Sequence, residues 1–529
     1  MPTLEWIGKE KVINHHQEVP FRVLERRYSF DENGQTEADN GSENMVIRGD
    51  NLEALKALLP RYEGRVKCIY IDPPYNTGNE GWVYNDNVND PKIKKWLGEV
   101  VGKEGEDLSR HDKWLCMMYP RLKLLQRLLH PTDGSIFISI DENEMANLKL
   151  VCNEIFGSNR HVATITWQKR YSRENRGAIG DAHEYILVYA SDVENFKAIR
   201  HRVEFDEKSA KIYKNPNNDP KGRWRAVPMT AQGYRPNQMY PITTPSGKIC
   251  YPPQGRCWST VESEYKKLLA TGRIYFGKNG DSQPSIIRYL SEVEGMVPWT
   301  WWPHEEVGHT DEAKKQIISI LGDADSFDTP KPTRLLERIF QIASDPDSII
   351  LDSFAGSGTT AHAVLNMNKA DGGNRKFILV EMMDYADSIT AERVKRVIQG
   401  YGEGKNAVEG TGGSFSFYDL GQPLLIGENL NEEVAPEKIR EYIWFMETKA
   451  PYAPPAGENA YYLGSHNHTA YYFYYEPQRI TVLDYAFLAT LTQKGECTVI
   501  YADRCAIGEE KLAQMGIVFK KIPRDITRL

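Results

Sequence analysis

The chain lacks the features that would tie it to a disulfide scaffold, a metal ribbon, a membrane or a motor. Its seven cysteines are an odd number without a Cys-x-x-Cys pair, which argues against a disulfide framework or a zinc ribbon, and no metal site is expected. Cys250 and Cys257 could pair, but free buried thiols are the expectation. No uninterrupted apolar run reaches membrane-spanning length, and Met1-Pro2-Thr3-Leu4-Glu5 opens no signal peptide, so a cytoplasmic protein with no membrane partner is expected. No Gly-x-x-x-x-Gly-Lys-Ser/Thr occurs, which leaves no site for a nucleotide-driven motor. An excess of basic charge is also missing. The formal net charge is −8, which does not advertise a nucleic-acid binder.

That global balance hides a local one. Between Lys197 and Arg235 stand ten Lys/Arg and four acids, a local excess of +6, with Lys169, Arg170, Arg173 and Arg176 just upstream. A charge run alone is a solvated face. This one is interleaved with Tyr213, Trp224 and Tyr234, which points to a polyanion surface carried by Lys169, Arg170, Arg223, Arg225, Tyr234 and Arg235.

At 529 residues the chain is too long for one core, and roughly two to four domains are expected. Residues 1–44 are polar and read as an arm or short hairpin. From Met45 strands alternate with helices: Met45 to Arg48, a helix with Leu52, Leu55, Leu58 and Leu59, then Val66 to Ile71. A stretch of weak periodicity, Asn79 to Asp112, reads as a lid. The alternation continues with Lys113 to Leu129, Gly134 to Asp141, Asn147 to Phe156, Val162 to Trp167 and Tyr185 to Tyr189. It predicts an α/β fold, a doubly wound, mainly parallel sheet, over 45–196. Over 197–325 Pro, Asn, Gly and Trp accumulate, which reads as an inserted irregular α+β domain carrying the basic patch. The α/β pattern resumes over 326–405. The remaining 406–529 read as a small C-terminal α/β domain with an acidic helix and an aromatic strand.

The residues that organise the chain are Val66-Lys67-Cys68-Ile69-Tyr70-Ile71-Asp72-Pro73-Pro74-Tyr75. A buried strand stops at a carboxylate, and two prolines then remove two N–H donors and fix two φ angles. The result is a rigid shelf at the carboxyl end of a strand, where open α/β sheets hold ligands. Asp72 and a proline carbonyl can each accept one N–H of an exocyclic amine, and the Tyr75 ring can stack on a base. A bare Asp-Pro-Pro would fit a helix cap and a turn equally well.

A second turn, Gly356-Ser357-Gly358-Thr359-Thr360-Ala361, lies between the strand Ser348 to Leu351 and a helix. Glycines there let a ligand approach a helix N-terminus. A triphosphate loop would need Gly-Lys-Ser/Thr. A dinucleotide fits, because Glu381 ends the next strand 23 residues beyond Gly358. S-adenosylmethionine fits equally, with a carboxylate on both ribose hydroxyls.

Asp72-Pro73-Pro74-Tyr75 directly after a β run resembles the catalytic motif of DNA amino-methyltransferases. Asp352-Ser353-Phe354-Ala355-Gly356-Ser357-Gly358-Thr359-Thr360 resembles their cofactor motif. The order of catalytic motif, recognition segment and cofactor motif matches the permuted beta class. The resemblance implies S-adenosyl-L-methionine as cofactor, with Asp50, Lys331, Asp352, Phe354, Gly356, Gly358, Thr359, Thr360 and Glu381 around it. Within that set the Gly49-Asp50 element would lie beside the cofactor adenine, although Asp50 also reads as a helix cap, and Thr329-Pro330-Lys331-Pro332 would help to hold the methionine end. It implies catalysis by Asp72, Pro73, Pro74 and Tyr75 on the N6 amine of a flipped adenine, since cytosine-N4 enzymes more often carry Ser where Asp72 stands. Cytosine N4 and a recognition subunit that mainly positions a nuclease are the alternatives. No Pro-Cys pair offers a nucleophile for cytosine C6. The large insert, the C-terminal domain and the tail from Ile522 look most like the modification (Mod) subunit of type III restriction–modification systems. This implies double-stranded DNA, a second copy of the chain and a separate restriction subunit as partners.

Overall fold

A computed structural model describes residues 3–77, 95, 99, 110–172, 179–203, 210–323, 327–455 and 459–524. Most of the lid expected over 79–112 lies outside these residues, as do Arg173 and Arg176. The main sheet takes eleven strands from the described residues. In chain order they are β1 (Arg22–Asp31), β2 (Gly34–Thr36), β3 (Met45–Arg48), β4 (Cys68–Ile71), β5 (Ser135–Ile140), β6 (His161–Gln168), β7 (His183–Ala190), β8 (Trp301–Trp302), β9 (Ile349–Asp352), β10 (Lys376–Glu381) and β11 (Ser414–Pro423). Helices α1 (Asn51–Tyr62), α2 (Arg110–Leu128), α3 (Met145–Cys152), α4 (Thr310–Leu321), α5 (Thr333–Ala343), α6 (Thr359–Asp371), α7 (Glu392–Gln399) and α8 (Pro436–Thr448) accompany them.

The strand order is β8-β6-β7-β5-β4-β9-β10-β3-β11-β1-β2. The six strands from β5 to β11 run parallel, while β7 pairs antiparallel with β5 and β6 on one side, and β1 antiparallel with β11 on the other. The cause is burial. β4 reads Cys-Ile-Tyr-Ile and is buried at every position, the composition of a strand covered on both faces. Beyond Ile71 the strand cannot continue, because Pro73 and Pro74 offer no donor to a ladder.

The chain leaves β4 through α2 toward β5, but leaves β9 through α6 toward β10, on the opposite side. β4 and β9 are themselves neighbours, with Ile350 opposite Cys68 and Leu351 opposite Ile69. The crossovers therefore diverge between these two strands. That is a topological switch point, and its crevice lies at the carboxyl ends, beyond Asp72 and Asp352.

The chain divides into two compact units, Arg202–Pro298 and all the rest. The smaller unit has its own core of Met229, Tyr240, Ile242, Cys250, Trp258, Tyr265 and Phe276. It is built on a three-stranded antiparallel sheet of Ile274–Tyr275, Ser285–Tyr289 and Trp224–Pro228. Cys250 and Cys257 are buried and free.

Three boundaries differ from the sequence reading. Residues 1–44, read as an arm or short hairpin, hold the β1–β2 hairpin, and β1 also joins the main sheet, where Tyr28 stacks on Phe417 at 5.1 Å. The insertion is shorter than 197–325, because α4 belongs to the larger unit, with Ala313, Ile317 and Ile320 buried. β11 extends the main sheet to Pro423, past the boundary expected at 405. Beyond it a four-stranded sheet of Tyr462–His466, Thr469–Phe473, Cys497–Ala502 and Ile517–Lys521 carries two cores of its own within the larger unit. No helix among the described residues is long and apolar enough to cross a membrane.

Leu351 is fully buried in the core that also holds Ile69 and Ile378. Leu351→Ala is expected to lower stability by about 2–5 kcal/mol, read as a lower urea midpoint at unchanged m-value. An unshifted midpoint would contradict this packing.

Candidate active site

The shelf after β4 is held from below. Asn76 takes a left-handed φ of 60°. Its side-chain amide donates to the Arg110 carbonyl at 3.1 Å and to the buried Glu144 carboxylate. Glu144 also binds the His111 ring at 2.6 Å and the Asn147 amide at 2.8 Å. The Trp114 indole donates to the Pro74 carbonyl at 2.6 Å. The Pro73 carbonyl takes no hydrogen bond from the described residues. It remains an available acceptor beside Asp72.

On the shelf the Tyr75 hydroxyl lies 2.8 Å from Asp72 Oδ1 and 3.0 Å from Glu184 Oε2. Lys331 Nζ donates to Asp72 Oδ2 at 2.7 Å and lies 3.7 Å from Glu184 Oε2. The same ammonium sits 5.0 Å from the Tyr75 ring centroid and 6.0 Å from that of Trp167. Lys169 stands 3.4 Å from Glu184 Oε1 and 2.8 Å from Asp181. Burial raises the Asp72 carboxyl above its usual range; the Glu184 charge adds to this and Lys331 opposes it. For Lys331, burial works against the charge, but Asp72 and Glu184 outweigh it, so the ammonium is held firmly. The Tyr75 phenol is pushed well up by burial and by both carboxylates.

The other wall is the turn after β9. Asp352 Oδ1 accepts the Phe354 N–H at 3.0 Å, and Oδ2 accepts the Thr360 hydroxyl at 2.6 Å. The Gly356 N–H donates to Glu381 Oε2 at 2.8 Å and the Met383 N–H to Oε1 at 2.9 Å. Gly358 has φ 78°, and a Cβ there would meet the Thr390 carbonyl oxygen at 2.9 Å, so only glycine fits. The Thr390 hydroxyl donates to the Gly356 carbonyl at 2.6 Å. Beneath the turn the fully buried Arg393 donates to the Ser357 hydroxyl at 2.9 Å and to Thr359 at 2.8 Å. Burial lowers this guanidinium to about 9. Burial likewise lifts Asp352 and Glu381 to about 7 each, with Asp72 and Glu381 adding to the rise at Asp352.

The structure thus brings Asp72, Pro73, Tyr75, Lys331, Asp352, Gly356 and Glu381 to one crevice. It sends others elsewhere. Thr359 and Thr360 are buried, and their hydroxyls are engaged by Arg393 and Asp352 inside the fold. Phe354 is half-buried against the main core. Asp50 caps α1, accepting the Leu52 N–H at 2.8 Å, and meets the buried Arg121 at 3.1 Å. Its neighbour Asn51 donates to the Ser353 carbonyl at 3.1 Å, which ties α1 to the turn. Lys331, expected at a cofactor end, pairs with Asp72. Lys169, expected on DNA, is bound to Glu184 and Asp181.

Glu184 was missed. Its signal is a carboxylate directly ahead of the apolar run Tyr185-Ile186-Leu187-Val188-Tyr189, buried in the same strand. In the smaller unit Arg223, Arg225, Tyr234 and Arg235 are all exposed, with Tyr234 at 73% and Arg225 lying 5.2 Å from the Tyr213 ring.

Carboxylates and a glycine turn at the switch point place the molecule among open α/β sheets that hold a ligand beyond their strand ends. The N6/N4 family model, described as DNA methylase, matches residues 66–392. The chain belongs to this DNA methylase family. It is 39% identical over 430 residues to the Mod subunit of the type III restriction–modification enzyme StyLTI of Salmonella typhimurium, covering 74% of this chain and 62% of that protein. It is 33% identical to the EcoPI Mod subunit of Escherichia phage P1, covering 72% and 63%. It is 31% identical to the type II methyltransferase M.KpnI of Klebsiella pneumoniae, covering 65% and 81%. The chain spans less than two thirds of the length of those two Mod subunits.

The raised carboxyls have a consequence for stability. Asp352 and Glu381 sit at about 7 in the fold and near 4 in an unfolded chain, so the folded form holds protons more tightly. Their contribution is greatest below about pH 4 and is lost as pH rises through about 7. Glu381→Gln should therefore flatten the fall of the urea midpoint between pH 5 and pH 8. Parallel pH curves for the two proteins would remove this role.

Proposed function

We propose that the protein is a DNA methyltransferase that moves a methyl group from S-adenosyl-L-methionine to the N6 amine of a flipped adenine, as the modification subunit of a type III restriction–modification system. The observation that carries the reading is the meeting of the Asp72 shelf and the Gly356 turn on adjacent strands. The residues of the second wall fit the cofactor. Glu381 ends the next strand beside the glycine turn, held by the Gly356, Met382 and Met383 N–H groups and by Tyr385, and is the carboxylate that would accept the ribose hydroxyls. Asp352 is bonded to a hydroxyl and an N–H, so a sulfonium cation would relieve its unmatched burial. When bound, the cofactor supplies an electrophilic methyl group.

The rest falls to the chain. An exocyclic amine is a poor nucleophile because its lone pair is shared with the ring. Asp72 and the Pro73 carbonyl, by accepting both N–H groups, would draw the nitrogen toward sp³ and free that pair. The Tyr75 ring would offer stacking of about 1–3 kcal/mol against the cost of flipping. Adenine is preferred over cytosine because the first residue of the shelf is an aspartate. The length shared with StyLTI Mod and EcoPI Mod supports the type III assignment, with a second copy and a restriction subunit as partners. Arg223, Arg225, Tyr234 and Arg235 are the proposed contacts to double-stranded DNA; the larger unit adds Arg170.

Asp72→Ala should abolish transfer of labelled methyl to mixed-sequence DNA while the thermal shift with S-adenosylhomocysteine persists. Transfer at the parent rate would refute the role of the shelf. Digestion of the product to nucleosides separates N6-methyladenine from N4-methylcytosine. Arg223→Ala with Arg225→Ala should weaken DNA binding for all sequences and reduce the slope of log K against log salt by about 1–2. An unchanged slope would take those arginines off the phosphates.

A further inference from the structure

Two carboxylates share one phenol on the shelf, and only one of them has a part in the reaction described above. The Tyr75 hydroxyl carries a single hydrogen, yet it stands within bonding distance of Asp72 Oδ1 and of Glu184 Oε2. We propose that Glu184 is the outlet for the proton that methyl transfer forces off the amine, reached from Asp72 through the Tyr75 hydroxyl. This inference rests on the amino-methyltransferase reading of the same site.

The chemistry requires an outlet. Transfer forms the N–C bond and breaks the C–S bond, whose electron pair stays on sulfur. The nitrogen is left cationic, with one hydrogen too many. The nearest base is the Asp72 carboxylate that already accepts its N–H. Asp72 cannot keep that proton, because the next cycle needs the carboxylate.

The geometry allows one direction. At Oδ2 stands Lys331, an ammonium with three donors and no lone pair, which can take no proton. At Oδ1 stands Tyr75, which can accept a proton from Asp72 while passing its own to Glu184 Oε2. Asp72 returns to carboxylate, Tyr75 is again a neutral phenol, and Glu184 becomes the carboxylic acid. No phenolate forms at any point, which matters where burial and two carboxylates push the phenol far up. Glu184 Oε1 then faces Lys169, whose other partner Asp181 has 52% of its side chain exposed. Lys169, an ammonium like Lys331, can take no proton, so Glu184, with 11% of its side chain exposed, releases it directly to water.

The groups around Glu184 are Tyr70, Asp72 and Tyr75 from β4 and its loop, Lys331 ahead of α5, Lys169 after β6, Asp181 ahead of β7 and Asp141 after β5. His183, the next residue along β7, turns away to Glu142 and Tyr185. Among these, Lys331 lies 3.7 Å from Glu184 Oε2 and Lys169 3.4 Å from Oε1. Glu184 acts through Tyr75 and Asp72 without touching the amine, so it is a positioning residue for the proton.

The test is methyl transfer across pH, in H₂O and D₂O, followed through the first turnover and the later ones, for the full chain and for Glu184→Gln, Tyr75→Phe and the double variant. Glu184→Gln should slow the turnovers after the first by about 100-fold, with DNA affinity and the S-adenosylhomocysteine shift unchanged. Its pH profile should lose the limb that depends on an ionised acceptor, and its solvent isotope effect should change. Tyr75→Phe keeps the ring and the charge balance and removes only the bridge. It should reproduce both changes, and the double variant should be no slower than the slower single one. Losses that multiply, or a Glu184→Gln protein with the parent's pH profile and isotope effect, would overturn the relay. A parent protein that transfers no methyl at all would instead overturn the function proposed above.

Discussion

The arrangement of the site depends on one short strand pairing, β4 against β9. These strands come from distant parts of the chain, and two register pairs, Ile350 with Cys68 and Leu351 with Ile69, bring them together. Successive side chains on a strand point to opposite faces, so a slip of one residue would exchange the faces of the whole strand. Both strands are covered on two sides by apolar side chains, and such a slip would move Asp352 relative to Asp72. The packing that stabilises the sheet is thus the packing that sets the distance between the two halves of the crevice. On the other side of β9, Asn51 at the start of α1 donates to the Ser353 carbonyl and fixes the turn that follows β9.

The crevice is electrostatically unbalanced by construction. Asp72, Glu184, Asp352 and Glu381 crowd the strand ends, while Lys331 and Lys169 are the cations that reach the first two. Asp352 and Glu381 are satisfied by hydroxyl and N–H groups and by no cation among the described residues. Neutral donors lower the cost of burying a carboxylate but do not cancel its charge, so both carboxyls rise to about 7. Such a field favours a positively charged ligand over a phosphate. It separates this glycine turn from the dinucleotide and triphosphate turns that it resembles in sequence.

Much of this was legible in the sequence because it is local. A β run ending in Asp-Pro-Pro-Tyr, and a glycine turn between a strand and a helix, carry their geometry in consecutive residues. What escaped reading was long-range. β1 and β11 pair across most of the chain length, and each alone is a half-polar run with no partner in view. The side chain of Lys331 is drawn to Asp72 across 259 positions, a contact no spacing reveals. Thr359 and Thr360 follow the glycines as ligand-binding hydroxyls would, yet Arg393 and Asp352 claim them from beneath. Glu184 gave a local signal, an acid directly ahead of an apolar run, but its meaning appears only once Tyr75 stands opposite.

Folding alone gives no reason for the cluster of Asp72, Glu184, Tyr75 and Lys331. Removing several charges from water costs several kcal/mol per ion, and an apolar replacement of similar volume is often neutral or stabilising. The left-handed Asn76 and the glycine-only turn at Gly358 add further local cost. Single left-handed residues such as Lys449 and a buried Arg524–Asp503 pair stand elsewhere, but at the switch point such departures meet in one crevice, while the sheet beneath it follows ordinary rules of burial. When local rules fail together at one place and hold everywhere around it, the failures mark what the place is for. Here they converge on a single carboxylate oxygen pair, one oxygen facing a cation that cannot accept a proton and the other facing a phenol that can.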